Sequence, residues 1–97
     1  MYGTIMRARV KGGQKDAFQE FISATGDRQP EGFVSADVAW EDKDPDRIVL
    51  VVRFRDKESY VRNAESPEQD AEYRRMLEHL ENEPEWIDVN WADSTTP

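Results

Sequence analysis

Two residue types that commonly perform chemistry in proteins, cysteine and histidine, are almost absent from this sequence. It contains no cysteine and a single histidine, His79, so a thiolate nucleophile and a metal site of cysteine and histidine ligands are both excluded. At about 100° per residue, His79 lies on the flank of a helical apolar stripe. This position favours a solvated or half-buried helix residue over a metal ligand or a general base. We expect no metal site.

Acidic side chains are concentrated towards the C-terminal end, at Glu81, Glu83, Glu85 and Asp88. Two neighbouring carboxylates can divide acid and base roles between them in catalysis. Acidic runs, however, usually form solvated faces of a protein. We therefore interpret this run as exposed surface and not as a paired-carboxylate site.

Aromatic and basic residues near two predicted helix starts are the remaining candidates for chemistry. Tyr60 is followed by Asn63, and Tyr73 and Arg74 come one helix start later. A tyrosine hydroxyl can hydrogen-bond a substrate oxygen, and an arginine can stabilise developing negative charge. The plainer alternative is core packing for the tyrosines, with each hydroxyl reaching water. For Arg74 it is an ion pair with an acidic residue four positions away.

The composition excludes several classes of partner. The 97 residues include 21 acidic and 13 basic side chains, which gives a net charge of −8. Such a surface repels phosphate backbones and anionic lipid head groups, so we expect neither nucleic acid nor membrane as a partner. The first residues lack the basic and apolar regions of a signal peptide. No apolar run approaches the roughly 20 residues of a membrane span, and we expect a soluble, cytoplasmic protein.

Hydrophobic periodicity predicts the secondary structure. Alternation with a period of two predicts strands at residues 2–11, 33–41, 47–54 and 85–91. Helical spacing predicts a helix from residue 14 to about residue 25, and two consecutive helical segments beginning at Asp56 and Ser66. The second start is the sharper one, because serine, proline and glutamine at N-cap, N1 and N3 make a capping box. Its helix carries the apolar residues Tyr73, Met76, Leu77 and Leu80.

The order βαββαβ predicts an α+β, ferredoxin-like fold with an antiparallel sheet. We place the domain at residues 1–92 and a frayed tail at residues 93–97. The third strand, RIVLVVRF, is apolar on both faces, whereas the two helices of this topology cover only one face of the sheet. The sheet of a second protomer is the economical cover, so we expect a homodimer. The strand arginines Arg7, Arg9 and Arg53 are then interpreted as ion pairs at its rim.

Most of the chain resembles a known family. The stretches that carry the resemblance are YGTIMRARVKGGQ, EGFVSADVAW and RIVLVVRFRDKESYVRNAESPEQDAEYRRMLEHLENEPEW. They are similar to the antibiotic biosynthesis monooxygenase family of dimeric α/β barrels. The resemblance implies a dimer that packs sheet on sheet and a pocket between the sheet and the helices of one protomer. One branch of the family oxidises polyaromatic phenols to quinones with O₂ and without metal or flavin, which implies that no cofactor is needed.

The resemblance also suggests site residues. Tyr60 and Arg74 match the functional tyrosine and arginine of that branch, whereas its strand asparagine and tryptophan correspond to Leu50 and Phe54 here. We assign catalysis to Tyr60 and Arg74. The hypothesised substrate-binding residues are Trp40, Phe54, Asn63 and Tyr73. Another branch binds and degrades haem, but its strand asparagine falls near Met6 and its haem-binding histidine does not coincide with His79.

These observations predict a cofactor-independent monooxygenase acting on a small aromatic substrate, a phenol or a quinol. Two alternatives remain open on the same fold. One is a dimer that binds a small molecule, or serves a structural role, without catalysis. The other is an isomerase or cyclase that acts by proton transfer alone.

Overall fold

The computed structural model describes residues 1–96 and forms a four-stranded antiparallel sheet with helices on one face. The strands are β1 (Tyr2–Arg9), β2 (Phe33–Trp40), β3 (Arg47–Phe54) and β4 (Glu85–Asn90). The helices are α1 (Lys15–Thr25), α2 (Lys57–Ala64) and α3 (Pro67–Leu77). The strand order is β2-β3-β1-β4 with every pair antiparallel. The predicted α+β, ferredoxin-like fold is confirmed.

Both predicted caps are present at the starts of α2 and α3. The Asp56 carboxylate accepts a hydrogen bond from the Ser59 backbone N–H at 2.8 Å. That bond is the main reason why the pKa of Asp56 is lowered to about 2. The Ser66 hydroxyl accepts from the backbone N–H of Gln69 at 3.2 Å. The Gln69 side chain, however, accepts from other side chains rather than completing the capping box.

The C-terminal part of the last helix differs from the prediction. Helix α3 ends at Leu77, so the interpretation of His79 and Leu80 as helix residues is wrong. Leu80 instead forms an isolated antiparallel bridge with Val10. The His79 carbonyl oxygen accepts from the Lys11 N–H at 2.9 Å, and Glu81 N–H donates to the Arg9 carbonyl oxygen at 2.9 Å. These backbone bonds to the end of β1 replace a further helical turn.

The hydrophobic core occupies one end of the layer between the sheet and the helices. We call it the packed end: its buried members are Met6, Ala8, Val10, Phe18, Ile48, Met76 and Leu80. Phe18 is the only buried residue of α1 and is fully inaccessible to solvent. The packed end joins the later half of β1 to the start of β3, because Ala8 pairs with Ile48 and Met6 with Leu50.

The other face of the sheet carries no helix. Its apolar centre consists of alternate strand residues, Ile5, Val49, Val51, Ile87 and Val89. Ion pairs surround this centre, among them Arg7 with Glu41, Arg9 with Asp44 and Arg53 with Asp37. The expected pairing of the strand arginines with carboxylates is thus present within one chain.

The helices are short, and the described part of the C-terminal tail is exposed. The longest helices among residues 1–96 have 11 residues, and none of the helices there is suited to crossing a membrane. Of the predicted tail, residues 93–96 are exposed and without regular structure. Pro97 lies outside the described residues.

Candidate active site

A cavity of about 380 Å³ opens beside the packed end, between the sheet and the three helices. The larger apolar residues of its lining are Phe21, Ile22, Phe33, Leu50, Val52, Phe54, Tyr73, Met76 and Trp86. Its polar lining is Thr4, Thr25, Arg28, Tyr60, Asn63, Gln69, Asp70 and Glu72. A mostly apolar cleft of this size, with a few polar groups, is typical of a small-molecule site. It is large enough for a ligand of two or three fused rings.

Aromatic side chains give the cavity its shape. The Phe33 and Phe54 rings lie on neighbouring strands and meet edge to face, with their centroids 5.9 Å apart. Tyr73 of α3 lies 6.0 Å from Trp86 of β4. Such arrangements place ring faces and edges at fixed positions along the cavity walls. The walls are therefore suited to an aromatic ligand.

Tyr60 is held at one end of the cavity by the capped start of α2. Its ring packs edge-on against Phe54 and Tyr2, with centroid distances of 5.7 and 5.2 Å. Its hydroxyl donates a hydrogen bond to the Asp88 carboxylate of β4 at 3.1 Å. Packing of the ring and the hydrogen bond of the hydroxyl together fix the position of the Tyr60 side chain.

Burial and a neighbouring charge keep Tyr60 protonated. Burial raises the pKa of Tyr60 to about 12, and the negative charge of Asp88 acts in the same direction. The neighbouring Thr4 hydroxyl partly offsets both effects. Near neutral pH this residue is a neutral phenol, able to donate one hydrogen bond and to accept others.

Arg28 is the arginine that the structure brings to the cavity. It lies in the connection between α1 and β2, and its Nε donates to Glu72 at 2.7 Å. Its terminal nitrogens donate to Asn63 at 3.2 Å and to Gln69 at 3.1 Å. The Glu72 hydrogen bond raises the pKa of Arg28, so the guanidinium stays charged. These bonds tie the connection to both α2 and α3, and Asn63 lies one helical turn after Tyr60 on α2.

Four of the sequence-predicted site residues line the cavity: Phe54, Tyr60, Asn63 and Tyr73. Arg74 and Trp40 are not among its lining residues. The Arg74 side chain is 77% exposed and pairs with Asp70 at 3.0 Å. The 100° step from Tyr73 to Arg74 turns the arginine away from the cavity, whereas Glu72, on the other side of Tyr73 in the sequence, stays within the lining. Trp40 packs against Phe18 in the packed end and donates its indole N–H to Gln19 at 3.0 Å.

The structure also adds two residues that the sequence analysis did not select. Arg28 lies in a connection without periodicity, so no sequence pattern indicated where its side chain would point. Asp88 was interpreted as exposed surface, and it is exposed, yet it holds the Tyr60 hydroxyl. A signal was present, because strand alternation places Asp88 on the opposite face from Ile87 and Val89 and therefore on the helix side.

His79 lies outside the cavity lining. Its Nδ1 is 2.9 Å from the Gln14 side-chain oxygen, and its ring packs against Phe18 and Phe21. It is half-buried. Within residues 1–96, no three histidine, aspartate or glutamate side chains are grouped as a metal site would require.

Solved structures of other proteins share this fold over nearly the full chain. A Nitrosomonas europaea protein provisionally named an antibiotic biosynthesis monooxygenase superposes with a TM-score of 0.84 at 18% identity, covering 98% of this chain and 93% of its own. For a Mycobacterium tuberculosis protein the TM-score is 0.81 at 18% identity, with 98% of each chain covered. SnoaB, a cofactor-independent oxygenase from Streptomyces nogalater, gives 0.82 at 18% identity, covering 96% of this chain and 94% of its own. At these identities the likeness establishes the fold alone.

Sequence comparison identifies the family directly. No curated protein is significantly similar to the chain. The family model described as antibiotic biosynthesis monooxygenase matches residues 1–75, which include β1 to β3, α2 and most of α3. That span contains most of the cavity lining, with Met76 and Trp86 beyond it. The chain therefore belongs to the antibiotic biosynthesis monooxygenase family.

Proposed function

We propose that this protein is a cofactor-independent monooxygenase that oxidises an aromatic phenol or quinol with O₂. The observation that carries the proposal is the aromatic-walled cavity of about 380 Å³ with Tyr60 among its lining residues, in a member of this family. SnoaB, which shares the fold, is a cofactor-independent oxygenase. Its activity supports the proposal by analogy of fold and family.

In this reaction the substrate itself is the reductant. Loss of a proton from the bound phenol, or from the ring carbon opposite it, gives an anion that can pass an electron to O₂. One oxygen atom then enters the product as a new carbonyl, and the other leaves as water. The four electrons that reduce O₂ come from oxidation of the substrate ring, which gives up two hydrogens to the water. In a quinol, whose opposite carbon already bears oxygen, the new carbonyl forms at another ring carbon that carries hydrogen. The protein's part is to bind, to orient and to stabilise charge.

Tyr60 and Arg28 are the proposed polar contributors. Tyr60 hydrogen-bonds the substrate oxygen at one end of the cavity. For stabilisation of negative charge we propose Arg28 instead of Arg74, because Arg28 lines the cavity and the Arg74 side chain is exposed and paired with Asp70. The aromatic walls formed by Phe54 and Tyr73 hold the rings, and Asn63 positions Arg28 through its hydrogen bond.

Oxygen uptake by the purified, metal-free protein tests the proposal, with anthrones, naphthols and hydroquinones as substrates. We expect uptake above the spontaneous rate, and about a tenfold lower kcat/KM for Tyr60→Phe because one hydrogen bond to the substrate oxygen is lost. Arg28→Met should lower kcat, whereas Arg75→Ala, an exposed arginine on α3, serves as the matched control. Uptake no faster than the spontaneous rate with every substrate would contradict the proposal.

The same assay decides between the two arginines. If the positive charge acts from within the cavity, Arg28→Met is the damaging substitution and Arg74→Ala is close to wild type. If Arg74→Ala alone abolishes uptake, the assignment from family resemblance is right and the one from cavity position is wrong.

We also propose that the protein is a homodimer that packs through the helix-free face of the sheet. Ile87 at its apolar centre is 52% exposed in the single chain, and burying such a surface against a second copy is favourable. Charges of both signs frame it, so two copies can meet without net repulsion at the rim. Light scattering should give a dimer mass for the wild type and a monomer mass for Ile87→Lys. Ala24→Lys, exposed on α1, is the control, and a monomeric wild type would contradict the proposal.

One observation favours a second candidate, a small-molecule-binding protein without catalysis. Leu50 and Phe54 line the cavity at the positions where the phenol-oxidising branch is expected to have an amide and an indole. Neither side chain can donate a hydrogen bond. Thermal protection by a naphthol in the absence of any oxygen uptake would favour this candidate over the oxygenase.

A further inference from the structure

The hydrogen bond between Tyr60 and Asp88 has a fixed direction. An ionised carboxylate carries no proton and can only accept. The proton in the 3.1 Å bond between the two side chains therefore belongs to Tyr60. A phenol has a single O–H, so this bond uses the only donor that Tyr60 has, and the oxygen lone pairs are what it can still offer.

The Thr4 hydroxyl does not occupy the lone pairs of the Tyr60 oxygen. It lies beside Tyr60 in the cavity lining, and its hydroxyl could in principle supply a proton to the Tyr60 oxygen. Its proton is instead donated to the Ile87 backbone carbonyl oxygen at 3.2 Å. Among residues 1–96 no hydrogen bond is donated to the neutral Tyr60 oxygen; the hydrogen bond by which Thr4 lowers the pKa of Tyr60 stabilises the ionised form of that oxygen.

We propose that Asp88 turns Tyr60 into a hydrogen-bond acceptor, so that this end of the cavity selects ligands with a free hydroxyl over ligands with a carbonyl. Asp88 is here a positioning residue that acts through Tyr60. The inference deepens the proposed function and rests on the same cavity, because it defines the form in which a phenol is bound. A site built around an acceptor discriminates against ligands that lack a donor, since the acceptor is then left unpaired.

The selection has a consequence for turnover. A phenolic substrate enters with its O–H donated to Tyr60, whereas a quinone product has only carbonyl oxygens at the corresponding positions. Two acceptors then face each other, and the product loses the hydrogen bond that held the substrate. The Tyr60–Asp88 pair therefore favours substrate over product in the same cavity.

Calorimetric titration in oxygen-free buffer tests this inference without turnover. The probes are 1-naphthol, which has a hydroxyl, and 1-tetralone, which has a carbonyl on a similar two-ring frame. We expect the wild type to bind 1-naphthol more tightly, by about threefold to tenfold, the usual net effect of one hydrogen bond. In Asp88→Ala the Tyr60 O–H is free to donate to a carbonyl, so the ratio of the two dissociation constants should fall to about one or reverse.

Two further variants distinguish ligand selection by the Tyr60–Asp88 pair from a general loss of structure or of negative charge. Asp93→Ala removes one exposed negative charge just beyond β4 and should keep the wild-type ratio. In a Tyr60→Phe background, Asp88→Ala should have no further effect on the ratio, because the residue it acts through is gone. Tyr60→Phe alone should also abolish the preference, which keeps the inference testable if Asp88→Ala does not fold.

The outcomes distinguish this inference from the proposed function. A wild type that binds both probes equally, or an Asp88→Ala variant with the wild-type ratio, overturns the acceptor role of Tyr60 even if oxygen uptake is observed. Selective binding that depends on Asp88, without any oxygen uptake, supports the acceptor role and contradicts the oxygenase. A wild type that binds neither probe overturns both.

Discussion

The two ends of the layer between sheet and helices are built from the same strands yet differ in how they are filled. At the packed end, Met6 and Ile48 are completely buried beneath Phe18 of α1. At the other end, Thr4 and Val52 of the same strands line a cavity of about 380 Å³. The buried members of the packed end are all apolar, whereas polar side chains such as Arg28, Asn63 and Gln69 also line the cavity. The position of the helices above the strands differs as well.

Polar contacts account for that position. Arg28 hydrogen-bonds Asn63 of α2 and both Gln69 and Glu72 of α3, so the connection after α1 is tied to the helices by side chains at the edge of the cavity. Closing the cavity would bring these polar groups towards an apolar interior, which is unfavourable. The packed end therefore holds the buried hydrophobic core of this small domain, and the open end holds the proposed binding site.

The largest expected effect is at the packed end. Phe18→Ala should lower the free energy of unfolding by about 3–5 kcal/mol, because it deletes a fully buried ring and leaves a void. Phe33→Ala, which removes a half-buried ring from the cavity wall, should cost less than half as much. Urea denaturation of the two variants measures both values. Equal losses would remove the energetic distinction between the two ends.

A second pair of substitutions adds volume instead of removing it. Val52→Phe places a ring in the cavity and should weaken 1-naphthol binding by about tenfold or more, with little change in stability because empty space receives the ring. Ile48→Phe, on the same strand and face, overpacks the packed end and should destabilise by about 1–3 kcal/mol. Calorimetry measures the loss of 1-naphthol binding, and urea denaturation measures the loss of stability, in each variant. A strongly destabilised Val52→Phe would mean that the cavity cannot accept the added ring.

A smaller effect is expected at the start of α3, the helix that contributes Tyr73 to the cavity. Ser66→Ala removes the hydroxyl that accepts from the Gln69 N–H and should destabilise by about 1 kcal/mol. Ser23→Ala, exposed within α1, is the matched control and should be neutral or slightly stabilising. A thermal denaturation midpoint unchanged by Ser66→Ala would show that packing alone holds the helix start.

The smallest effect is confined to alkaline pH. Since the pKa of Tyr60 is raised to about 12 in the folded chain, the unfolded chain releases this proton more readily, at the ordinary tyrosine pKa of about 10. Its contribution to stability is complete below pH 10 and is lost as the pH rises through 12. The slope of stability against pH in this window should be shallower for Tyr60→Phe than for Tyr73→Phe, which retains Tyr60. Identical slopes would show that Tyr60 is not perturbed.

Much of the fold was predictable because it depends on local patterns. The alternation of RIVLVVRF predicted β3 at residues 47–54, the bounds that the structure has, and the Asp56 and Ser66 caps were both expected. The prediction failed at the end of α3, where helical spacing extended to Leu80. A long-range bridge from Leu80 to Val10 prevails there, and such a competing contact leaves no trace in the spacing of apolar residues.

The candidate site was predictable only in part, for a related reason. Helical spacing placed Tyr60 and Tyr73 on the faces that the structure turns inward, but it could not tell which of two adjacent residues, Tyr73 or Arg74, would meet the cavity. The sequence could not identify Arg28 as a site residue, because an irregular connection has no hydrophobic periodicity. The partnership of Asp88 with Tyr60 joins residues that are 28 positions apart.

By itself, the amino-acid sequence determined the order and type of the elements, the doubly apolar central strand and the absence of cysteine chemistry. Those properties follow from residue types and from periodicities of two and about 3.6. The tertiary structure alone decided where the interior is filled and where it stays open, which arginine lines the cavity and which carboxylate accepts from the Tyr60 hydroxyl. The reason is physical: a cavity is the space left between elements, and its size depends on how helices and sheet pack in three dimensions rather than on any one segment.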